Sequence, residues 1–268
     1  PAPIYATAWT CELLKKKFLR YGVTPKDITL VQPEQKITTG PFSVEYVHMI
    51  HSIPDAAALF IRTASGNAFQ TGDFKIDRHP NNPEKLNSKQ INRISQIGVD
   101  ALLTDSTNSY KEGFTPSEHD LFKPLEKLIS NAHGRVFLAS FSSNFWRVKT
   151  VFDICVKLNK KLVVNGRSLQ DCLEIGKRLG KIDEIDKTVI RIEQQRNYPQ
   201  NKLVFLVSGT QGEENASLTR ISDKSHRQIQ INKKDLVIFS ARAIPGNEKK
   251  ILEVIEHLKK QGAEVLTA

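Results

Sequence analysis

The sequence predicts an α/β chain in two parts, a strand-rich first part to about residue 112 and, from residue 113 onward, a mostly parallel, doubly wound sheet. Three observations predict it. Beyond residue 113 short apolar runs alternate with helical patterns, the order of strand and crossover helix that builds a parallel sheet. The texture changes at Thr115-Pro116-Ser117-Glu118, which has the form of a capping box with Pro at the first helical position. The chain of 268 residues is 39% apolar and 25% charged, enough to bury a core in one large domain or two ordinary ones.

In TAWTCELLKKKFLRYG, Thr10 is a candidate N-cap, Leu14, Phe18 and Tyr21 fall on one helical face, and Gly22 ends the helix. Strands follow at DITLV, SVEYVHM, AALFIRT, NAFQTG and DALLTD, and Ala-Ser-Gly-Asn between the third and fourth predicts a hairpin. A helix from the capping box to Gly134 opens the second part. RVFLAS is a strand, and the run after Asn144 is a helix with Val148, Val151, Phe152 and Cys155 inward. KLVVN is a strand, followed by a helix over SLQDCLEIGKRLG capped by Ser168. KTVIRIE, KLVFLVS and DLVIFSA are strands, and NEKKILEVIEHLKKQG is a helix with Ile251, Val254, Ile255 and Leu258 on one face.

No run reads as a membrane span or secretory signal. Cys11, Cys155 and Cys172 are scattered and odd in number, and the last two sit in helical apolar patterns. They read as buried thiols, which favours a cytoplasmic protein over a disulfide-bonded one. The net charge of +10 serves solubility and also suits a polyanionic partner.

Ligands of an open parallel sheet bind beyond the carboxyl ends of its strands. Four loops leave those ends: Ser142-Ser143-Asn144, Gly166-Arg167-Ser168, Ser208-Gly209-Thr210-Gln211-Gly212-Glu213, and Ser240 through Gly246, Asn247 and Glu248. Each offers hydroxyl, amide, Gly or Arg groups just before a helix, where free N–H groups suit a phosphate. One such loop is ordinary turn and capping chemistry, whereas four on one edge point to a phosphate- or nucleotide-binding crevice. Neither a GxGxxG after a strand nor a P-loop is present, and Gly209 to Gly212 is only a weak GxxG signal.

His51 and Asp73 are the best metal candidates by residue type, imidazole and carboxylate suiting zinc or manganese. Their spacing alone is equally that of a structural His. No HxH or HExxH occurs among His48, His79, His119, His133, His226 and His257. His119, His133 and His257 read as surface residues, and His48 as either core or exposed.

Nine segments together carry a family resemblance. They are PIYAT at 3–7, HSIPD at 51–55, TGDFKID at 71–77, DSTN at 105–108, GFTPSE at 113–118, ASFSSN at 139–144, NGRS at 165–168, SGTQGE at 208–213 and IPGNE at 244–248. In order and spacing, over nearly the whole chain, they resemble the ribonuclease J branch of the β-CASP nucleases, within the metallo-β-lactamase superfamily. The resemblance implies part of an αββα-type metallo-β-lactamase domain over 1–112 and most of a β-CASP domain over 113–268. It implies His51 and Asp73 as metal ligands, Asp73 bridging two ions, and Asp105 as a supporting acidic residue. Two zinc ions are expected in an intact site, with manganese or magnesium as alternatives. Ser142, Ser143, Asn144, Arg167, Ser208, Gly209, Thr210, Ser240, Gly246 and Asn247 are then RNA- or phosphate-binding.

The family's HxHxDH loop, its SGHASQ segment and its final ligand His find no match in the chain. The expectation is therefore a central fragment, inactive alone, of a zinc-dependent ribonuclease. The intact enzyme would cleave single-stranded RNA from a 5′-monophosphate end, or internally, and would assemble as a homo-oligomer without a membrane. Thr210 stands where Ser is usual, and Ser240-Ala241-Arg242-Ala243 replaces a Ser- and Pro-rich run. Two readings of other classes remain at this level: a metal-free RNA-binding module, and a nucleotide-binding sheet of unrelated function.

Overall fold

The computed structural model describes residues 2–23, 28–77 and 88–267. These form two compact units, Pro1–Asp120 and Leu121–Ala268, so the division falls after Asp120 rather than after residue 112.

In the first unit, β1 (Ile4–Ala6) pairs in parallel with β2 (Ile28–Leu30), and α1 (Ala8–Arg20) connects them. The helix starts at Thr7, not Thr10. Its free N-terminal N–H at Trp9 is taken by the Asp55 carboxylate at 2.8 Å, so a distant side chain does the capping. Trp9 and Cys11 are buried, Leu14 and Phe18 half-buried, and Tyr21, expected inward, is 81% exposed just before Gly22 closes the helix at φ +67°.

A five-stranded sheet follows, in the order β3 (Lys36–Thr39), β4 (Phe42–His48), β5 (Ala57–Thr63), β6 (Gly66–Gln70) and β7 (Ala101–Leu103). The pairs are antiparallel except β6 with β7. The predicted hairpin is present, with Thr63 opposite Gly66 and Ala64-Ser65 as its loop. One helix, α2 (Ser88–Ile97), lays Ile94 on Val47, Met49, Ala58 and Phe60. Strand β3 and helix α2 were not anticipated, because most of each faces solvent and neither pattern is strongly apolar. A buried carboxylate ties α2 to the sheet. Gln90 Nε2 donates to Glu45 at 2.8 Å, Arg93 also bonds it, and Lys36 lies 3.5 Å away. Burial pushes the Glu45 carboxyl up, but these donors outweigh it and hold the group below its usual range.

The second unit is a six-stranded parallel sheet in the order β10-β9-β11-β8-β12-β13. Its strands are β8 (Val136–Ala139), β9 (Lys161–Asn165), β10 (Val189–Ile190), β11 (Leu203–Val207), β12 (Leu236–Phe239) and β13 (Glu264–Thr267). The helices are α3 (Phe122–Asn131), α4 (Phe145–Lys157), α5 (Arg167–Arg178), α6 (Ile185–Thr188), α7 (Ser217–Ser222) and α8 (Glu248–Lys260). On one face Phe137, Phe205 and Val237 pack with Leu218 and Ile221 of α7 and Val254, Ile255 and Leu258 of α8. The alternate residues Leu138, Leu206 and Ile238 point to the other face, that of α4 and α5. The doubly wound expectation holds, as does the inward set Val148, Val151, Phe152 and Cys155, all buried.

Several local expectations shift. The helix expected from Thr115 begins only with a short turn at His119–Leu121 and α3 at Phe122. Ser117 and Asp120 make the reciprocal bonds instead: Ser117 N–H donates to Asp120 at 3.2 Å, and His119 N–H to the Ser117 hydroxyl at 3.2 Å. The capping pattern recurs two residues on, and Ser117 also bonds Asp77 at 3.0 Å. Helix α5 is capped at Gly166, leaving Ser168 exposed inside it. KTVIRIE yields only the two residues of β10, flanked by α6 and a 3-10 helix at Ile192–Asn197. All three cysteines are free and buried.

Candidate functional site

In the first unit β4, β6 and β7 run in one direction, so their carboxyl ends share a sheet edge. His51 follows β4, Asp73 follows β6 and Asp105 follows β7. Backbone bonds bind these segments together: Lys75 N–H to Ile50 C=O at 2.7 Å, and Thr71 N–H to Leu103 C=O at 2.9 Å. Asp105 N–H donates to the Thr71 hydroxyl at 3.0 Å. A cleft of about 380 Å³ is lined by His51 and Asp73 together with Thr7, Thr10, Tyr46, Asp55 and Gln70. His51 is half-buried with Nδ1 3.2 Å from the Ser52 hydroxyl, and Asp73 is exposed after Gly72, whose φ of +58° makes the turn.

Asp105 is held below the usual carboxylate range, chiefly by Thr107, whose hydroxyl and N–H both donate to it, the N–H at 2.8 Å. The Phe74 N–H and the charge of a protonated His51 add to this. The cleft thus presents the His51 imidazole and the Asp55 and Asp73 carboxylates, with ionised Asp105 on the same sheet edge and within electrostatic reach of His51. Among the described residues no group of three or more His, Cys, Asp or Glu is arranged to hold a metal ion. His51 and Asp73 stand near each other in the cleft, with no third such group placed to hold an ion with them among the described residues. His48 is buried beneath the edge, His119, His133 and His257 are exposed, and His79 lies outside the described residues.

In the second unit the four predicted loops do lie on one edge, and buried polar side chains join them into one rim. Asn144 caps α4 by accepting from Arg147 N–H at 3.1 Å. The buried Arg147 guanidinium donates to the Ser240 carbonyl at 2.7 Å and bonds its hydroxyl. Ser217 Oγ donates to Asn165 Oδ1 at 2.6 Å, and Ser217 N–H to Ser208 Oγ at 3.4 Å. Gln211, 4% exposed, accepts from Ile244 N–H at 2.8 Å and Asn247 Nδ2 at 3.4 Å, and donates to Arg242 C=O at 3.0 Å. His226 sits behind Asn165, 3.1 Å away, its proton affinity lowered by burial and by Arg220.

The rim exposes some predicted residues and withdraws others. Ser143, Arg167 and Gly246 face solvent; Ser142, Asn144, Ser208, Ser240 and Asn247 are half-buried. Thr210 and Gly209 are buried, the Thr210 hydroxyl accepting from the Gln211 amide at 3.4 Å. Gly166 and Gly209 allow the loops to close: a Cβ on either would come within 2.9 Å of Ser208 or Ala216 respectively. Sequence reasoning passed over Arg147, Asn165, Gln211 and Ser217 as site residues. Their signal was present, since each stands in or beside a quoted strand-end loop and is too polar to be buried without partners.

Residues 133–258 match the family described as ribonuclease J, beta-CASP domain. The chain is 37% identical over 265 residues to ribonuclease J of Helicobacter pylori (strain ATCC 700392 / 26695), covering 98% of this chain and 38% of that protein. It is 33% identical over 267 residues to ribonuclease J2 of Bacillus subtilis (strain 168), covering 99% of this chain and 48% of that one. It thus spans between about two fifths and half the length of the curated relatives it matches. A crystal structure of a protein of unknown function from Enterococcus faecalis V583 superposes with a TM-score of 0.66 at 15% identity, over 99% of this chain and 63% of that one, a likeness of fold alone. With a parallel sheet and a similarity to ribonuclease J proteins that runs through both units, the chain carries the ribonuclease J β-CASP domain.

Proposed function

We propose that the chain is the RNA-holding and part of the hydrolytic machinery of a metal-dependent ribonuclease. The observation that carries the reading is the convergence of His51, Asp73 and Asp105 on one sheet edge, in a chain similar along its length to proteins named ribonuclease J. His51 and Asp73 would donate to a divalent ion, zinc with manganese or magnesium as alternatives, which when bound activates water and offsets phosphate charge. Asp105, kept ionised by Thr107, would supply negative charge beside His51. The rim of the second unit would hold the backbone of single-stranded RNA. The free N–H groups of α4 and α5, with exposed Arg167 and Arg242, suit a 5′-monophosphate. Exonucleolytic and endonucleolytic cleavage, a homo-oligomeric enzyme and a cytoplasmic setting, which three free thiols suit, belong to the same proposal.

The test is degradation of 5′-monophosphorylated RNA by the longer protein that carries this segment, supplied with zinc or manganese. Activity is expected, and His51→Ala or Asp73→Ala should lower it by about 100-fold or more. RNA left intact by the unmutated protein overturns the reading. One specific observation favours a second reading, a metal-free RNA-binding module: the described residues lack a complete donor set. RNA binding with full affinity, without cleavage and indifferent to His51→Ala, would select it.

A further inference from the structure

The net charge of +10 resides in one unit. Pro1–Asp120 carries 13 Lys and Arg against 13 Asp and Glu, whereas Leu121–Ala268 carries 26 against 16. Within the second unit the excess is not at the rim. There, exposed Arg167, Arg242, Lys249 and Lys250 face Glu213, Glu214 and Glu248. The lysines crowd the opposite edge, where the parallel strands begin and the returning helices end. Lys161 opens β9, Lys202 precedes β11, Lys233 and Lys234 precede β12, and Lys259 and Lys260 finish α8.

Helix C-termini attract lysine through the macrodipole, which accounts for Lys259 and Lys260. Strand starts carry no comparable dipole, so Lys202, Lys233 and Lys234 have no such cause. Among the described residues, no carboxylate lies within ion-pair distance of Lys127, Lys202, Lys233 or Lys234. The crowding is felt inside the fold: the buried Lys160 is depressed by burial first and by the charge of Lys202 second.

The Lys233-Lys234 pair is also built rigidly. It forms the tip of a turn in which Asp235 N–H donates to Asn232 C=O at 3.0 Å and Asn232 N–H to Asp235 Oδ2 at 2.7 Å. Asp235 is fully buried and held by Arg135, Nε to Oδ1 at 3.0 Å and Nη2 to Oδ2 at 2.5 Å. The Arg135 guanidinium in turn lies over the rings of Phe137 and Phe205, 5.1 and 5.7 Å from their centroids. Two glycines clamp the turn from outside. A Cβ on Gly134 would strike the Lys234 carbonyl at 2.1 Å, and one on Gly262 the Lys233 side chain at 2.9 Å. Beside the turn is a cavity of about 570 Å³, walled by Pro124, Leu128 and Leu236 and ringed by Lys127, His133, Lys233 and Lys234, with Glu264 the one acidic group at its mouth besides the paired Asp235.

From this we infer a second RNA-backbone site, at the amino edge of the parallel sheet, centred on Lys127, Lys233 and Lys234 and separate from the rim. It rests on the RNA reading above and extends it, giving the chain two separated contacts for one long polynucleotide or a structured RNA. Lysines on a rigid turn present point charges to phosphate with little ordering cost. Protein interfaces are poor in Lys and rich in aromatic anchors, and the cavity has no aromatic wall, so a polyphosphate backbone fits better than an acidic protein, and recognition is sequence-independent.

The experiment measures binding of a fluorescent 30-nucleotide RNA and of poly-glutamate to the 268-residue chain across a salt series. The doubly substituted Lys233→Glu, Lys234→Glu chain is compared with Arg167→Glu, Arg242→Glu at the rim and with a charge-matched Lys15→Glu, Lys17→Glu control on α1. The lysine-turn variant should bind RNA at least about tenfold more weakly, and the slope of log K on log salt should be shallower by about 2, one per lysine. The α1 control should change neither. Lys127→Ala, which leaves the turn untouched, should shift the slope by about 1 in the same direction. RNA binding unchanged in the turn variants, with the rim variant weakened, overturns this site while the RNA reading stands. Loss of poly-glutamate binding without loss of RNA binding assigns the edge to an acidic protein instead. A wild-type chain with no RNA affinity overturns both.

Discussion

The two units of this chain solve opposite electrostatic problems. The first is charge-balanced, and its notable ionisable groups are held one by one: Glu45 by Gln90 and Arg93, Asp105 by Thr107, Asp55 by the start of α1. The second carries the whole net charge, and its buried ionic pair, Arg135 with Asp235, stands under an edge crowded with lysine. A site that does chemistry needs a few groups with set ionisation states. A surface that holds a polyanion needs many like charges on a scaffold stiff enough to bear their repulsion. On the proposed reading the first unit has the former design and the second the latter.

The strongest way to break this contrast is to remove the scaffold's buried pair. Asp235→Ala leaves Arg135 buried without its counter-charge, and is expected to cost the second unit about 3–5 kcal/mol. The buried thiols report it. Burial pushes Cys155 and Cys172 up to about 12, so neither should react with an alkylating reagent until its unit opens. In a denaturant series both should become reactive earlier in the variant, while Cys11, on α1, moves less. Equal shifts at all three cysteines would show that the contrast between the units does not extend to their stability.

A smaller effect is expected in the first unit from Glu45→Ala. Gln90 and Arg93 lose their acceptor, and α2 loses its polar tie to β4, at about 1–3 kcal/mol. Here Cys11 should respond before Cys155 and Cys172. Smaller again is Asn144→Ala, which strips the N-cap from α4 at about 1 kcal/mol, read as a lower denaturation midpoint at unchanged m-value.

How much of this was legible in the sequence follows from the same contrast. The sheet of the second unit was legible because its strands are buried on both faces and read as continuous apolar runs; LVFLV and LVIF lie where the pattern put them. The strand expected at KTVIRIE failed because its apolar residues alternate with charge and the chain turns into a 3-10 helix after β10. Strand β13 was hidden because none of its residues is fully buried and it forms no continuous apolar run, and helix α7 by being short. His51, Asp73 and Asp105 could be named from residue type and resemblance, but what joins their loops is backbone bonding and the Thr71 hydroxyl, which no spacing rule encodes. The rim was foreseen as four loops, and its joints were not. Gln211 and Arg147 act across 31 and 93 residues of chain, contacts that only the fold creates. The lysine edge was visible only as a total of +10; its location depends on all six strands starting at one side.

The smallest expected effect separates the units by pH. In the second unit His226 has a lowered proton affinity, from burial first and Arg220 second, and its Nδ1 accepts from Ile229 N–H at 3.2 Å. The unfolded chain then binds more protons than the folded one below the ordinary histidine value near ~6.5. Stability contributed by a neutral His226 is therefore complete above that value and is lost as pH falls toward the lower folded one. In the first unit the displaced groups are carboxylates, Glu45 and Asp105, both lowered. Their contribution is complete above the ordinary carboxylate range near ~4 and is lost only as pH falls through their lower folded values. Between pH 7.5 and 5.5 the alkylation midpoints of Cys155 and Cys172 should fall while that of Cys11 holds, and His226→Gln should flatten the difference. A Cys11 midpoint that falls in step would place the titrating group elsewhere and remove His226 from the account.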